Sequence, residues 1–207
     1  SRFERSFSTS FGQGAIQRLS QAAAVAGGAT ESAIVQSTRV RLARNKIAAI
    51  DDHIRQLTGG NSGAQVGWDV DVAEIRAISG SDESSEIRII SDLWFVRGGV
   101  EHFLSIKTVK PNIDQTAVAK RDLMLLSTAK PDSQVYFGLY YNPYGAKRSD
   151  YAWTPPMRIF DFHNDSVVLI GKDYWDKLGG AGTYEEMLVI AGEVGACWYS
   201  VLLISGS

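Results

Sequence analysis

The stretch EIRIISDLWFVRGGVEHFLSIKTV, residues 86–109, decides how this chain folds. Ile87, Ile89, Leu93 and Phe95 recur at a period of two, the pattern of a strand with one buried face. Arg97-Gly98-Gly99 supplies a glycine turn, and Glu101–Val109 reads as the returning strand. With Gly98 and Gly99 as the two turn positions, paired residues sum to 197. Asp92 then lies opposite Ser105, with Lys107 diagonal to it on the same side. A carboxylate inside a strand is unusual unless it faces solvent, an edge or a ligand. Here an acid, a hydroxyl and an ammonium share one sheet surface.

The sequence just beyond adds a second acid. Pro111-Asn112 stops the strand, and Asn112 caps a helix running to about Ser127. Gln115, Ala119, Asp122 and Leu126 are three or four apart and share a face, with Lys120 and Arg121 beside it. If this helix packs across the hairpin, Asp122 completes an acidic pair with Asp92. Two carboxylates can hold Mg²⁺, and Lys107 can orient a water beside a phosphate. Taken singly, each has a plain reading: Asp92 and Asp122 as solvent-facing acids, Ser105 as polar filler, Lys107 as an edge guard. Only the combination points to phosphodiester chemistry.

Further out, Ala15–Val25 reads as a short helix. Thr30 looks like the cap of a long helix to about Leu57, on the stripe Val40, Ala43, Ile47, Ile50, Ile54 and Leu57. Residues 66–79 read as a strand or a short irregular element. Gln134–Tyr141 is a strand, 142–157 a Tyr/Pro/Lys/Arg loop, and Met157–Phe162 and Val167–Ile170 a further hairpin. Asp173–Leu178 is a short helix, and Thr183-x-x-Glu186 matches a capping box opening a last helix to about Leu203. These elements make an α/β fold with a central mixed β-sheet flanked by helices.

The chain has 207 residues with 44% hydrophobic and 21% charged, enough to bury a core in one domain over 1–207. Its one cysteine, Cys197, excludes a disulfide framework and a thiolate metal cluster. No stretch is long and apolar enough for a membrane helix, and the expected compartment is the cytoplasm. The chain opens on Ser1, which reads as a trimmed or partial chain. The formal charge is −2, unevenly spread. Residues 61–101 hold eight acids against three arginines, and 102–148 seven bases against three aspartates. His163 with Asp161 and Asp165 is either a small metal cluster or a polar turn. There is no phosphate-binding glycine loop and no Gly-x-Ser-x-Gly elbow.

Ser91-Asp92 followed by Ser105-Ile106-Lys107 resembles the motif of the PD-(D/E)xK nuclease superfamily, above all its type II restriction endonucleases. The resemblance implies a restriction-endonuclease-like fold: helix, three-stranded meander, helix, strand. On this chain these fall on Thr30–Leu57, a strand around 66–78, the two hairpin strands, Asn112–Ser127 and Gln134–Tyr141, a core of about 30–141. Residues 142–207 then form an extension for DNA reading or dimerisation. Ser91 replaces the proline, and Ser105 replaces the middle acid. One branch of these enzymes carries Ser-x-Lys and recovers the acid from the following helix, next to an arginine; Arg121-Asp122 falls at about that offset. Glu31 could stand where some members place an acid from the first helix. The phrase from Lys107 to Asp122 also resembles a subfamily cutting GGNCC-type sites.

The resemblance implies Mg²⁺ at Asp92 and Asp122, with Ser105 and Lys107 completing the catalytic set. Double-stranded DNA is the expected partner. Lys110, Gln115, Lys120 and Arg121 lie near the expected metal, and Asn142, Lys147 and Arg148 lie on the loop suited to base reading. A homodimer follows from cutting both strands of a palindrome, with Trp198 and Tyr199 as an interface. Two other readings stay open: a non-catalytic DNA-binding module, and a repair or recombination nuclease on the same core.

Overall fold

The computed structural model describes residues 13–60 and 67–204, with side chains of 14–60 and 67–193. In chain order the elements are α1 (Gln13–Ala26), β1 (Glu31–Ala43), α2 (Arg44–Thr58), α3 (Trp68–Ala77), β2 (Ser84–Arg97), β3 (Val100–Lys107), α4 (Ile113–Ala129), β4 (Gln134–Leu139), β5 (Val168–Ile170), α5 (Lys172–Gly179) and α6 (Thr183–Ile204). One mixed sheet runs β1-β2-β3-β4-β5. The first three strands are an antiparallel meander, and β4 and β5 add in parallel. This is the expected α/β architecture with helices on both faces.

Each face carries its own core. Ile50, Leu57, Trp68, Val72, Leu123 and Phe137 belong to the face covered by α2, α3 and α4. Ile16, Ala24, Leu104, Tyr136, Trp175 and Leu178 belong to the face covered by α1, α5 and α6. The stretch after residue 141 therefore supplies the fifth strand and much of the second face.

The hairpin turn and register are as the sequence predicts, but the ladder stops at Leu93, so Asp92 does not pair with Ser105 as expected, and β3 ends at Lys107 rather than Val109. Leu93 pairs with Leu104 and Arg97 with Val100, both sums 197. Asn112 caps α4, its Oδ1 accepting the Gln115 N–H at 2.8 Å.

Four readings are corrected. Residues 31–43 form β1, not the first half of a helix. The 3.6-residue stripe was an accident of joining a strand to a helix, and the period-two signal of Val40 and Leu42, both buried between exposed arginines, prevails. Residues 68–77 form α3, with Trp68, Val72 and Ile75 buried at helical spacing; Val66 lies outside the described residues. Met157–Phe162 holds a 3₁₀ turn, so β5 has no hairpin partner and pairs with β4 instead. Thr183 is the first residue of α6 rather than its cap, its hydroxyl donating to Gly180 O.

Where β4 meets α5, Gly138 leaves room for the wholly buried Tyr174 ring. A Cβ on Gly138 would stand 2.5 Å from the ring's Cε2. The Tyr174 hydroxyl is itself 2.5 Å from Ser20 Oγ on α1, so the ring cannot swing aside freely. Gly138→Ala is expected to destabilise the protein by about 1–3 kcal/mol through overpacking, read as a fall in melting temperature.

His102 on β3 is buried, stacks on Phe95 at 4.4 Å, and has no partner for Nδ1. Burial, with the nearby charges of Arg97 and Lys177, pushes its pKa down to about 4. It is neutral when folded, and its contribution holds above the unfolded value near 6.5 and fades as pH falls toward 4. Between pH 7.5 and 5 the protein should lose about 1–2 kcal/mol from this residue. Denaturant titrations at the two pH values check this, and His102→Phe should remove that part of the loss.

Candidate active site

β2 is one long strand whose pairing changes at its middle. It pairs with β3 only from Leu93 to Arg97. On its other side β1 pairs on both flanks, Ile34 with Leu93 and Gln36 with Ser91, and skips Val35 and Asp92 between them. Val35 stands at φ +54°, a left-handed conformation uncommon for a β-branched residue. The same side of this two-stranded ribbon meets different cores at its two ends: Leu93 and Phe95 one, Ile87 and Ile89 the other. Asp92 sits at that crossover.

Its carboxylate replaces the missing strand partner. Asp92 Oδ2 accepts the Ile106 N–H at 2.7 Å, and Oδ1 accepts from Gln17 Nε2 of α1 at 3.0 Å. Lys107 Nζ stands 3.7 Å from Asp92 Oδ2, both side chains about one-fifth exposed. Ser105 is half-buried, two residues before Lys107 on β3 and beside Phe137 of β4.

Asp122 of α4 approaches the same lysine. Burial raises its carboxyl above the ordinary range, opposed by the charges of Arg121 and then Lys107. Arg121 Nε donates to Asp51 Oδ1 of α2 at 2.6 Å, and its Nη1 lies 3.8 Å from Asp122. Lys107 thus lies 3.7 Å from Asp92 and near enough to Asp122 to oppose its raised pKa, while Gln17 holds Asp92 and Asp51 tethers Arg121 beside Asp122.

Other expected contact residues divide. Lys120 is wholly buried, its ammonium bonded to Asp71 Oδ2 at 2.5 Å and Ile159 O at 2.9 Å, and cannot reach a phosphate. Burial would raise the Asp71 carboxyl, but His53 and Lys120 outweigh it and hold it below its ordinary value. The pair ties α4 to α3 and sets the helix's rotation. Asn142 is also buried, accepting from Tyr144 N and donating to Lys147 O. Arg148 spends its guanidinium on the carbonyls of Phe162 and Asp165. Lys110, Gln115 and Lys147 are exposed.

The loop after β4 docks beside the site. Tyr151 Oη donates to Val109 O and Trp153 Nε1 to Pro111 O, both at 2.9 Å, and Lys110 Nζ rests over the rings of Tyr144 and Trp153.

One candidate position is corrected, and one open choice is decided. Glu31 opens edge strand β1 opposite Val96, at the turn end of the hairpin, and no helix presents it. Asp161 and Asp165 accept backbone N–H groups of the 161–165 turn, and His163 Nε2 lies 2.9 Å from Tyr151 O, so the polar-turn reading holds. Among the described residues no group of three or more His, Cys, Asp or Glu side chains could hold a metal.

The family model described as "Type II restriction endonuclease, HinfI" matches residues 1–195. The chain belongs to this family. Among its relatives, the type II restriction enzyme HgiCII of Herpetosiphon aurantiacus is 34% identical over 124 residues, 58% of this chain and 44% of that enzyme. HgiEI of the same organism is 36% identical over 110 residues, 51% of this chain and 39% of the relative. The chain thus matches less than half the length of these restriction enzymes. No solved structure matches it significantly. Among the described residues no helix is long and apolar enough to cross a membrane.

Sequence reasoning missed Gln17 and Asp51 because each acts across elements distant in the chain. Gln17 is buried and fixes the Asp92 carboxylate. Gln17→Leu should leave the fold intact and, on a nuclease reading of the site, lower the rate of DNA cleavage at saturating substrate tenfold or more, about 1.4 kcal/mol of barrier. A circular-dichroism melt beside a cleavage time course checks it, and an unchanged rate would remove Gln17 from the site.

Proposed function

We propose that this chain is a Mg²⁺-dependent, sequence-specific endonuclease that hydrolyses phosphodiester bonds of double-stranded DNA. The observation that carries the reading is Lys107 Nζ, 3.7 Å from Asp92 Oδ2 and close enough to Asp122 to oppose its raised pKa.

The donor set fits the metal. Two carboxylates are what Mg²⁺ commonly takes from a protein, with waters and substrate phosphate filling the rest of its shell. When bound between Asp92 and Asp122, Mg²⁺ would neutralise phosphate charge and lower the pKa of a water. The chain's own groups do the positioning. Gln17 and the Ile106 N–H hold the Asp92 carboxylate in one orientation. Lys107 orients the attacking water and offsets charge on the phosphate oxygens. The water oxygen bonds to phosphorus as the bond to the 3′ oxygen breaks, the water proton passes to solvent, and the 3′ oxygen leaves with the bonding pair and takes a proton. Ser105 stands where relatives of the motif carry the middle acid, and Asp122 supplies that charge from α4.

DNA approaches from the β3 exit, where Lys110, Gln115, Lys147 and Tyr144 are exposed. Cleavage of a palindrome calls for two such sites, hence a homodimer. Trp198 and Tyr199, the expected interface, lie beyond the described side chains.

Asp92→Ala and Lys107→Ala are each expected to lower Mg²⁺-dependent plasmid cleavage by at least a thousandfold, about 4 kcal/mol, while gel shifts with Ca²⁺ retain DNA binding. Full metal-dependent cleavage in both variants would overturn the assignment. Binding by the unaltered protein without any turnover would mark a DNA-binding module instead.

A further inference from the structure

The ribbon beyond Asp92 carries charge that the proposed chemistry leaves unused. Residues 36–43 of β1 and 84–91 of β2 pair with each other and not with β3. One side of this ribbon is apolar, with Val40, Leu42 and Ile89 buried. The opposite side is exposed throughout: Ser37, Arg39 and Arg41 on β1, Glu86, Arg88 and Ile90 on β2. Arg39 lies directly across from Arg88, Arg41 from Glu86, and Ser37 from Ile90.

Three arginines against one glutamate make a positive face on a chain of formal charge −2. Like charges directly opposite on one sheet face are unfavourable, so folding alone gives no reason to place Arg39 across from Arg88. The Arg39 side chain is 72% exposed and reaches Glu86 at 3.2 Å; Arg88, also exposed, donates from Nε to Ser37 Oγ at 2.7 Å. Val35 and Ile90 add apolar surface, 56% and 53% exposed, next to Asp92.

We propose that this ribbon face is a second DNA-contacting surface, in which Arg39, Arg41 and Arg88 bind backbone phosphates of the duplex whose scissile bond lies at Asp92. The inference rests on the nuclease reading. Charge complementarity favours a polyanion, and the ribbon is continuous with the site because β2 runs unbroken from Arg88 into Asp92. Arg88 stands about 13 Å from Asp92 along the strand, roughly four base-pair steps of duplex. A two-stranded ribbon also fits the major groove, which lets Ile90 and Ser37 approach base edges between the phosphate contacts. The competing account is a solvated edge ribbon whose arginines only discourage sheet-to-sheet association.

The test is fluorescence anisotropy on a labelled mixed-sequence duplex of about 30 base pairs, with Ca²⁺ in place of Mg²⁺ and NaCl varied. The unaltered protein is compared with the Arg39→Ala/Arg41→Ala/Arg88→Ala triple variant and with the corresponding triple lysine variant. The alanine variant is expected to bind at least tenfold more weakly at about 0.1 M salt, with the slope of log affinity against log salt shallower by roughly 2–3. The lysine variant should keep most of the slope, since a phosphate contact needs only the charge. All three side chains point to solvent, so melting temperatures should match; if the triple variant fails to fold, Arg41→Glu alone should weaken binding in the same direction. Affinity and slope equal to the unaltered protein in the alanine variant, with plasmid cleavage by the unaltered protein intact, would overturn the ribbon proposal alone. An unaltered protein that neither binds nor cuts DNA would overturn the nuclease reading and the ribbon with it.

Discussion

The arrangement around the site depends on a break in backbone pairing at Asp92 of β2. There the pairing with β3 has ended, the pairing with β1 skips one position, and the Asp92 carboxylate accepts the Ile106 N–H. That bond fixes the acid beside Lys107, which lies one residue after Ile106. Val35, at φ +54°, carries the distortion on the neighbouring strand. Backbone strain of this kind costs of order 1–3 kcal/mol and persists where surrounding contacts over-determine it, here the paired residues on either side.

The helices serve this point. α1 delivers Gln17 to one carboxylate oxygen, and α4 brings Asp122 toward the lysine from the opposite face of the sheet. α4 cannot rotate freely, because Lys120 is buried against Asp71 and the Ile159 carbonyl while Arg121 holds Asp51. A buried lysine stripped of its partner leaves an uncompensated charge, so this anchor is costly to break. The sequence neighbours Lys120, Arg121 and Asp122 thus divide into a buried anchor, a tether to α2 and a half-buried acid near Lys107.

The local signals in the sequence were legible. The glycine turn set the hairpin register, Asn112 set the start of α4, and the alternation of Val135, Phe137 and Leu139 set β4. The failures share a cause: short apolar patterns fit two periods. Val40 and Leu42 belong to a strand, while Ile47, Ile50 and Ile54 belong to the helix that follows, and together they mimic one long helical stripe. Trp68, Val72 and Ile75 fit a helix as well as residues 66–79 fit a strand. Of the candidate site, the nearness of Asp92 to the strand of Ser105 and Lys107 followed from the hairpin turn, while the expected Asp92–Ser105 pairing did not form because the ladder ends at Leu93. Lys120, Asn142 and Arg148 looked like surface cations and amides because burial of a polar side chain depends on distant partners that no local pattern shows. Gln17 and Asp51 were invisible for the same reason.

The most direct measurement is anomalous diffraction from crystals of the protein soaked in Mn²⁺, a stand-in for Mg²⁺ with a readable signal. The account predicts a peak held by the carboxylates of both Asp92 and Asp122, near the Lys107 ammonium. A peak bound elsewhere on the chain, or bound at Asp92 with Asp122 turned away, would contradict it.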